Sequence, residues 1–245
     1  MKILLLAGTG EAGQLATALS AQGHGVIASL AGATRAPKGM DCQTRIGGFG
    51  GDAGFEAWLE DNRPDLVVDA THPFAIRVTT RTARICKERG LPYVQLLRPA
   101  WTVNPAMNQH EVKSVAEAQE LIPEGSRVFL ATGRQSLMDF APLRDCFLIC
   151  RQIDAPQRDF PFKNGMFLVG RPPFSAPDEK QLFQRLDVNV LVVKNAGGRA
   201  SYSKIEAAAE LGIPVIMFAR PEPPDAPRVT TVEGAMQWVA DLEDH

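Results

Sequence analysis

Near the N-terminus an apolar run, KILLLA, drops into GTGEAG and continues as an amphipathic stretch, QLATALSA. A strand that turns on glycines directly into a helix fits few architectures. The helix must cover the sheet and return the chain to a parallel neighbour. Gly8, Gly10 and Gly13 form G-x-G-x-x-G in this context, where glycines let backbone amides approach a pyrophosphate at the helix N-terminus. Gly8, Thr9, Gly10, Glu11 and Ala12 are therefore read as the diphosphate turn of a dinucleotide site. The Glu11 carboxylate is expected to face outward or to bond an amide or a hydroxyl of the cofactor.

The same unit repeats along the chain. Apolar runs near 2–7, 26–30, 44–46, 66–70, 92–97, 127–131, 147–153, 166–169, 190–194 and 214–218 read as strands, with helical periodicity between them. Ser114/Glu117 and Ser203/Glu206 fit capping boxes. The predicted class is α/β: two Rossmann-like lobes with parallel sheets, helices on both faces and a ligand cleft between them. The polar stretch WTVNPAMNQHE divides the chain into lobes over 1–101 and 112–245, and the proline-rich RPEPPDAPR is a second candidate crossing.

A net charge of −2 over 245 residues argues against nucleic-acid binding. No apolar run approaches the ~20 residues of a membrane span. MKILLLAG reads as a first strand rather than a signal peptide, so the cytoplasm is the expected location. Cys146 and Cys150, four strand residues apart, stand roughly 13 Å from each other, too far to share a metal ion. No metal site is expected. Nothing in the sequence sets the oligomeric state, and a monomer suffices.

The second strand ends ASLAGATRAP, without the acidic residue that would accept the ribose hydroxyls of NAD. Ser29, Thr34 and Arg35, with Lys38 nearby, are donors and cations suited to a 2′-phosphate, so the predicted cofactor is NADPH. The same gap argues against S-adenosylmethionine, and the missing Tyr-x-x-x-Lys pair argues against short-chain dehydrogenases. In GGFGG, Gly48 and Phe49 are assigned to the nucleotide, as is Thr71 in DATHPFA. His72 lies where a nicotinamide ring is expected and is the candidate proton donor; bound water or the substrate itself are the alternatives.

From the fifth strand onward the apolar runs end on cations, a feature absent from the first four: Arg98, Arg134, Arg151, Arg171, Lys194 and Arg220. Such a row on the ligand-binding edge points to a polyanionic substrate. The turns ATGRQS and KNAGGRA add Thr132, Gly133, Asn195 and Gly197 as further anion contacts, with Lys204 close by.

SLAGAT, GGFGG, DATHPFA, RPAW, FLATGRQ, GRPPF and KNAGG, in this order, resemble the precorrin-6A reductase family of the corrin-ring pathway to cobalamin. The matches run from Gly8 to Arg220. The resemblance implies NADPH-dependent reduction of one double bond of a macrocycle rich in acetate and propionate arms, giving precorrin-6B. The family's first turn is commonly Gly-Gly-Thr-x-Glu-Ala, where this chain has Ala7-Gly8-Thr9-Gly10-Glu11-Ala12, and Ala196 replaces a frequent serine. The alternatives are a cobalt-containing substrate reduced by NADH, another polycarboxylate, and a non-catalytic carrier of NADPH or an acidic tetrapyrrole.

Overall fold

Strand and helix alternate through the computed structural model, which describes residues 1–32 and 40–243. The elements are β1 (Lys2–Leu6), α1 (Gly10–Ala21), β2 (Gly25–Leu30), β3 (Gln43–Ile46), α2 (Gly51–Asn62), β4 (Leu66–Asp69), α3 (Ile76–Arg89) and β5 (Tyr93–Leu96). There follow β6 (Gln109–Val112), α4 (Val115–Glu120), β7 (Arg127–Ala131), β8 (Phe147–Gln152), β9 (Gly165–Val169) and α5 (Ala176–Arg185). The last are β10 (Val190–Lys194), α6 (Ser203–Glu210), β11 (Val215–Phe218), β12 (Arg228–Val229) and α7 (Val232–Glu243). A 3₁₀ helix spans Arg134–Phe140.

The chain divides into two units: Met1–Pro99 with Pro221–His245, and Ala100–Arg220. The boundary expected at Trp101 thus falls just before Ala100, but the second lobe read as 112–245 is corrected at both ends. Residues 102–111 belong to the second unit, and the chain leaves it at Arg220. The proline-rich stretch carries it back, so that α7 lays Ala235 and Val239 against Leu15 and Leu19 of α1.

The first unit's sheet has the order β12-β5-β4-β1-β2-β3, all parallel. Successive residues of a strand point to opposite faces. Ile3, Leu5, Leu66 and Val68 therefore pack with α1 and α7, whereas Leu4, Leu6, Val67 and Tyr93 pack with α2 and α3 through Phe55, Leu59 and Ile85. Burial on both faces explains why these strands read as continuous apolar runs.

The second unit's sheet, β6-β11-β10-β7-β8-β9, is also parallel and covered on both faces. Val128, Leu130 and Val192 face α4 and the 3₁₀ helix through Ala118, Leu137 and Phe140. Phe129, Leu191 and Val193 face α5 and α6 through Phe183 and Ile205. The two strands without an apolar run in the sequence, β6 and β12, are both edge strands. An edge strand pairs on one side only and needs no apolar run; QHEV buries just its two end residues. Ser114 caps α4, accepting from the Glu117 amide at 3.2 Å. Ser203 does not cap α6 but is its first residue, after Tyr202.

Candidate functional site

In the first sheet β1 and β4 are neighbours, with β2 and β3 on one side and β5 on the other. Strand order reverses between β1 and β4, and open α/β sheets bind ligands in the crevice at such a point, beyond the strand C-termini. The turns after β1 and β4, GTGE and ATHPF, stand there.

Thr9 joins them. Its Oγ1 accepts from the Ala12 amide (3.2 Å), capping α1, and donates to the carbonyl of Ala70 (2.8 Å). A Cβ built on Gly8 or Gly10 would meet nothing within 4 Å. Nothing described therefore packs where a side chain would stand at either glycine. No side chain among the described residues caps the other amides of the first helical turn, and they carry the positive end of the helix dipole. Ala12, read as a cofactor contact, is fully buried in the core and its amide is taken by Thr9. Glu11 pairs with Arg98 at 2.8 Å, so the carboxylate is neutralised within the unit. That pairing engages Arg98, which was read as a substrate anchor.

The DATHPFA turn is built on Asp69. Its side chain, fully buried, accepts from the Thr71 amide (3.0 Å) and the Tyr93 hydroxyl (3.1 Å). Burial and this carboxylate push the Tyr93 phenol upward. Thr71 Oγ1 bonds Thr79 Oγ1 at 3.2 Å, so Thr71 serves the turn. His72 Nδ1 accepts from the Phe74 amide at 3.2 Å, which puts the neutral ring's proton on Nε2.

Thr34, Arg35 and Lys38 lie outside the described residues. Ser29, at the end of β2, instead receives a hydrogen bond at 2.7 Å from Arg45 of β3, its register partner. Arg45 also donates to the carbonyls of Gly47 (3.0 Å) and Gly48 (3.2 Å) and lies 3.9 Å from the centre of the Phe49 ring. Phe49 therefore carries a guanidinium on its face, with Phe55 and Trp58 packed against it edge-on. Sequence reading passed over Arg45 although it stands one residue before the end of the third apolar run. The third strand thus also carries a cation next to its end, contrary to the expectation that the first four strands lack one.

In the second sheet the reversal falls between β7 and β10. ATGR follows β7 and NAGG follows β10, so both predicted anion turns stand at this unit's own crevice. Thr132 is buried and bonds Ser136 (2.9 Å) beneath the Gly133 turn. Arg134 is exposed and has no ion pair among the described residues. Lys194 is pressed downward in pKa by burial. Gly197 shapes the second turn at φ 67°.

Four predicted anchors are engaged otherwise. Arg151 is 8% exposed and forms a two-pronged pair with Glu179, itself 1% exposed, at 2.7 and 2.8 Å. Its fork is filled by that carboxylate. Asn195, buried, brackets Trp101 by accepting from its amide (2.8 Å) and donating to its carbonyl (2.9 Å). Arg220 bonds the carbonyls of Asn195 and Ala196. Arg171 stands 3.7 Å from Asp154. The pairings of Glu179 with Arg151 and of Trp101 with Asn195 carried no sequence signal, because both span long stretches of chain.

Lys204 donates to the carbonyl of Ser201 and lies 5.8 Å from the Trp101 ring. Burial, with help from the Arg151 charge and against that of Glu179, lowers its pKa to about 8. The folded state therefore binds fewer protons here than the unfolded chain between about pH 8 and the ordinary 10.5. Holding the ammonium charged costs stability below that window, and the cost fades as pH rises through it. Against Lys204→Met, the wild type is expected to gain up to about 3 kcal/mol in relative stability across the window. Urea titrations of both at pH 7.5 and 10.5 measure it; a pH-independent difference refutes it.

Among the described residues no three His, Cys, Asp or Glu side chains cluster as a metal site, and no helix is long and apolar enough to cross a membrane. All four cysteines are free thiols.

Residues 2–240 match the family described as Precorrin-6x reductase CbiJ/CobK. A precorrin-6A reductase of Rhodococcus erythropolis is 42% identical over 244 residues, covering 98% of each chain. A cobalt-precorrin-6A reductase of Priestia megaterium is 30% identical over 90% of this chain and 91% of its own. Among solved structures, "CobK precorrin-6A reductase" superposes with a TM-score of 0.93 at 36% identity, covering 98% of this chain and 96% of that one.

Proposed function

The chain belongs to the precorrin-6x reductase family CbiJ/CobK, and from that membership we propose how its residues divide the work. The reaction is the reduction of precorrin-6A in cobalamin biosynthesis, an oxidoreductase chemistry on a tetrapyrrole-derived ring. We take the reductant to be NADPH and the ring to be cobalt-free; the higher identity to the Rhodococcus relative supports the latter.

The open glycine turn at the first sheet's reversal point carries the nucleotide reading. The amides at Gly10 and Glu11 receive the diphosphate, the space over Gly8 and Gly10 accommodates it, and Thr9 holds the turn against β4. Arg98 matters here because it neutralises Glu11, which would otherwise repel the phosphates. A bound reduced nicotinamide supplies the hydride. The Phe74 amide fixes the His72 tautomer that presents an Nε2 N–H. A neutral imidazole is too weak an acid to give that proton up, so His72 is read as orienting, through Nε2, the water or substrate group that delivers the proton to the neighbouring ring carbon. In the second unit Arg134, Lys204, the Gly133–Arg134 turn and the Gly197 turn are the groups read as holding ring carboxylates.

Purified protein mixed with precorrin-6A and either nicotinamide nucleotide tests this. The expected result is oxidation of NADPH, seen at the nicotinamide absorbance band, with a ring product heavier by two hydrogens. Binding of both ligands without oxidation supports a carrier instead, and faster turnover with NADH overturns the cofactor assignment.

A further inference from the structure

We propose that Arg45, at the end of β3, receives the 2′-phosphate of the nucleotide and sets the preference for its phosphorylated form. The inference rests on the NADPH reading above and deepens it.

Position is the first reason. β2 and β3 run parallel with Ser29 opposite Arg45, so the guanidinium occupies the C-terminal edge of β2. In a sheet that reverses between β1 and β4, this edge is where an acidic residue holds the ribose of an unphosphorylated nucleotide. Among the described residues no carboxylate stands there, and a cation does.

Charge balance is the second. Two other strand-end arginines of low exposure, Arg98 and Arg151, each have a carboxylate within 2.8 Å. Arg45 has no ion pair among the described residues. Burial lowers its pKa and no neighbouring charge offsets that. A partly buried cation without a counter-ion is destabilising unless an anion arrives. A second guanidinium, Arg81, stands 5.6 Å from the same Phe49 ring and adds positive charge to this edge.

Pre-organisation is the third. The guanidinium is clamped by Ser29 Oγ, the Gly47 and Gly48 carbonyls and the Phe49 ring. These three hydrogen bonds use three of its five N–H donors and leave two for a phosphate. None of its donors is buried without a partner. The planar fork, held at fixed orientation, suits phosphate oxygens better than a mobile ammonium does.

Dissociation constants for NADPH, NADH, 2′,5′-ADP and 5′-AMP, measured on wild type and Arg45→Ala, test the proposal. NADPH and 2′,5′-ADP are expected to weaken by about 10- to 150-fold, with NADH and 5′-AMP changed little. Arg45→Gln, which keeps hydrogen bonding without charge, carries the same expectation should the alanine variant not fold. A uniform loss across all four probes means that Arg45 only holds the glycine loop, and overturns the proposal. Equal affinity of the wild type for NADPH and NADH is a different failure: it removes the NADPH reading itself.

Discussion

Replacing Glu179 with alanine is expected to lower the unfolding free energy by about 3–5 kcal/mol, the usual cost of removing one partner from a buried ion pair. Glu179 and Arg151 are 1% and 8% exposed, and their two parallel hydrogen bonds satisfy a guanidinium that also lies 4.9 Å from the centre of the Phe129 ring and 4.4 Å from that of Phe174. Without the carboxylate, that charge is stranded in an apolar setting. The Lys204 ammonium nearby loses the negative charge that favours its charged form, so its pKa falls further. Urea denaturation reads the effect as a shift in midpoint at constant slope. Replacing both residues together, as Arg151→Met with Glu179→Leu, is expected to recover most of the loss, because an apolar pair needs no compensation. If Glu179→Ala left stability untouched while raising KM for the ring, Arg151 would return to the substrate anchors.

Gly54→Ala is the second large effect. The glycine lies in the first turn of α2, and a Cβ there would stand 1.8 Å from the carbonyl oxygen of Phe49 and 2.9 Å from its carbon. Both are backbone atoms, so no rotamer change relieves the clash. The segment carrying Gly47, Gly48 and Phe49 must move. We expect a loss at the top of the ~1–3 kcal/mol range for overpacking, or beyond it. The functional consequence is larger, since displacing Phe49 and the two carbonyls removes the clamp on Arg45. Thermal unfolding and NADPH affinity should therefore fall together. Gly48→Ala is the control: its Cβ would meet nothing within 4 Å, so stability should hold and any change in NADPH binding reports the space a ligand occupies.

The sequence GGFGGDAG announces close approach of backbone, yet it does not say which glycine is approached. Four glycines before Asp52 drew attention, and the one with no room for a side chain is Gly54. A similar limit applies to the charges. A row of strand-end cations was legible because each lies at a fixed offset from an apolar run. Their partners were not: Glu11 and Arg98 stand 87 residues apart, Arg151 and Glu179 28 apart.

What the sequence determined by itself is everything that depends on neighbours along the chain. Apolar periodicity placed ten of the twelve strands among the described residues, and the glycine turns landed at the reversal points of both sheets. These follow from backbone sterics and from the two periods of side-chain direction, which act over a few residues. Only the tertiary structure decided which cations remain available to an anion, that the last helix belongs with the first unit, and that Arg45 rather than a residue of β2 faces the end of that strand. Such outcomes are set by strand order, which brings distant residues side by side. The electrostatic value of a charge is then fixed by whatever that order places opposite it.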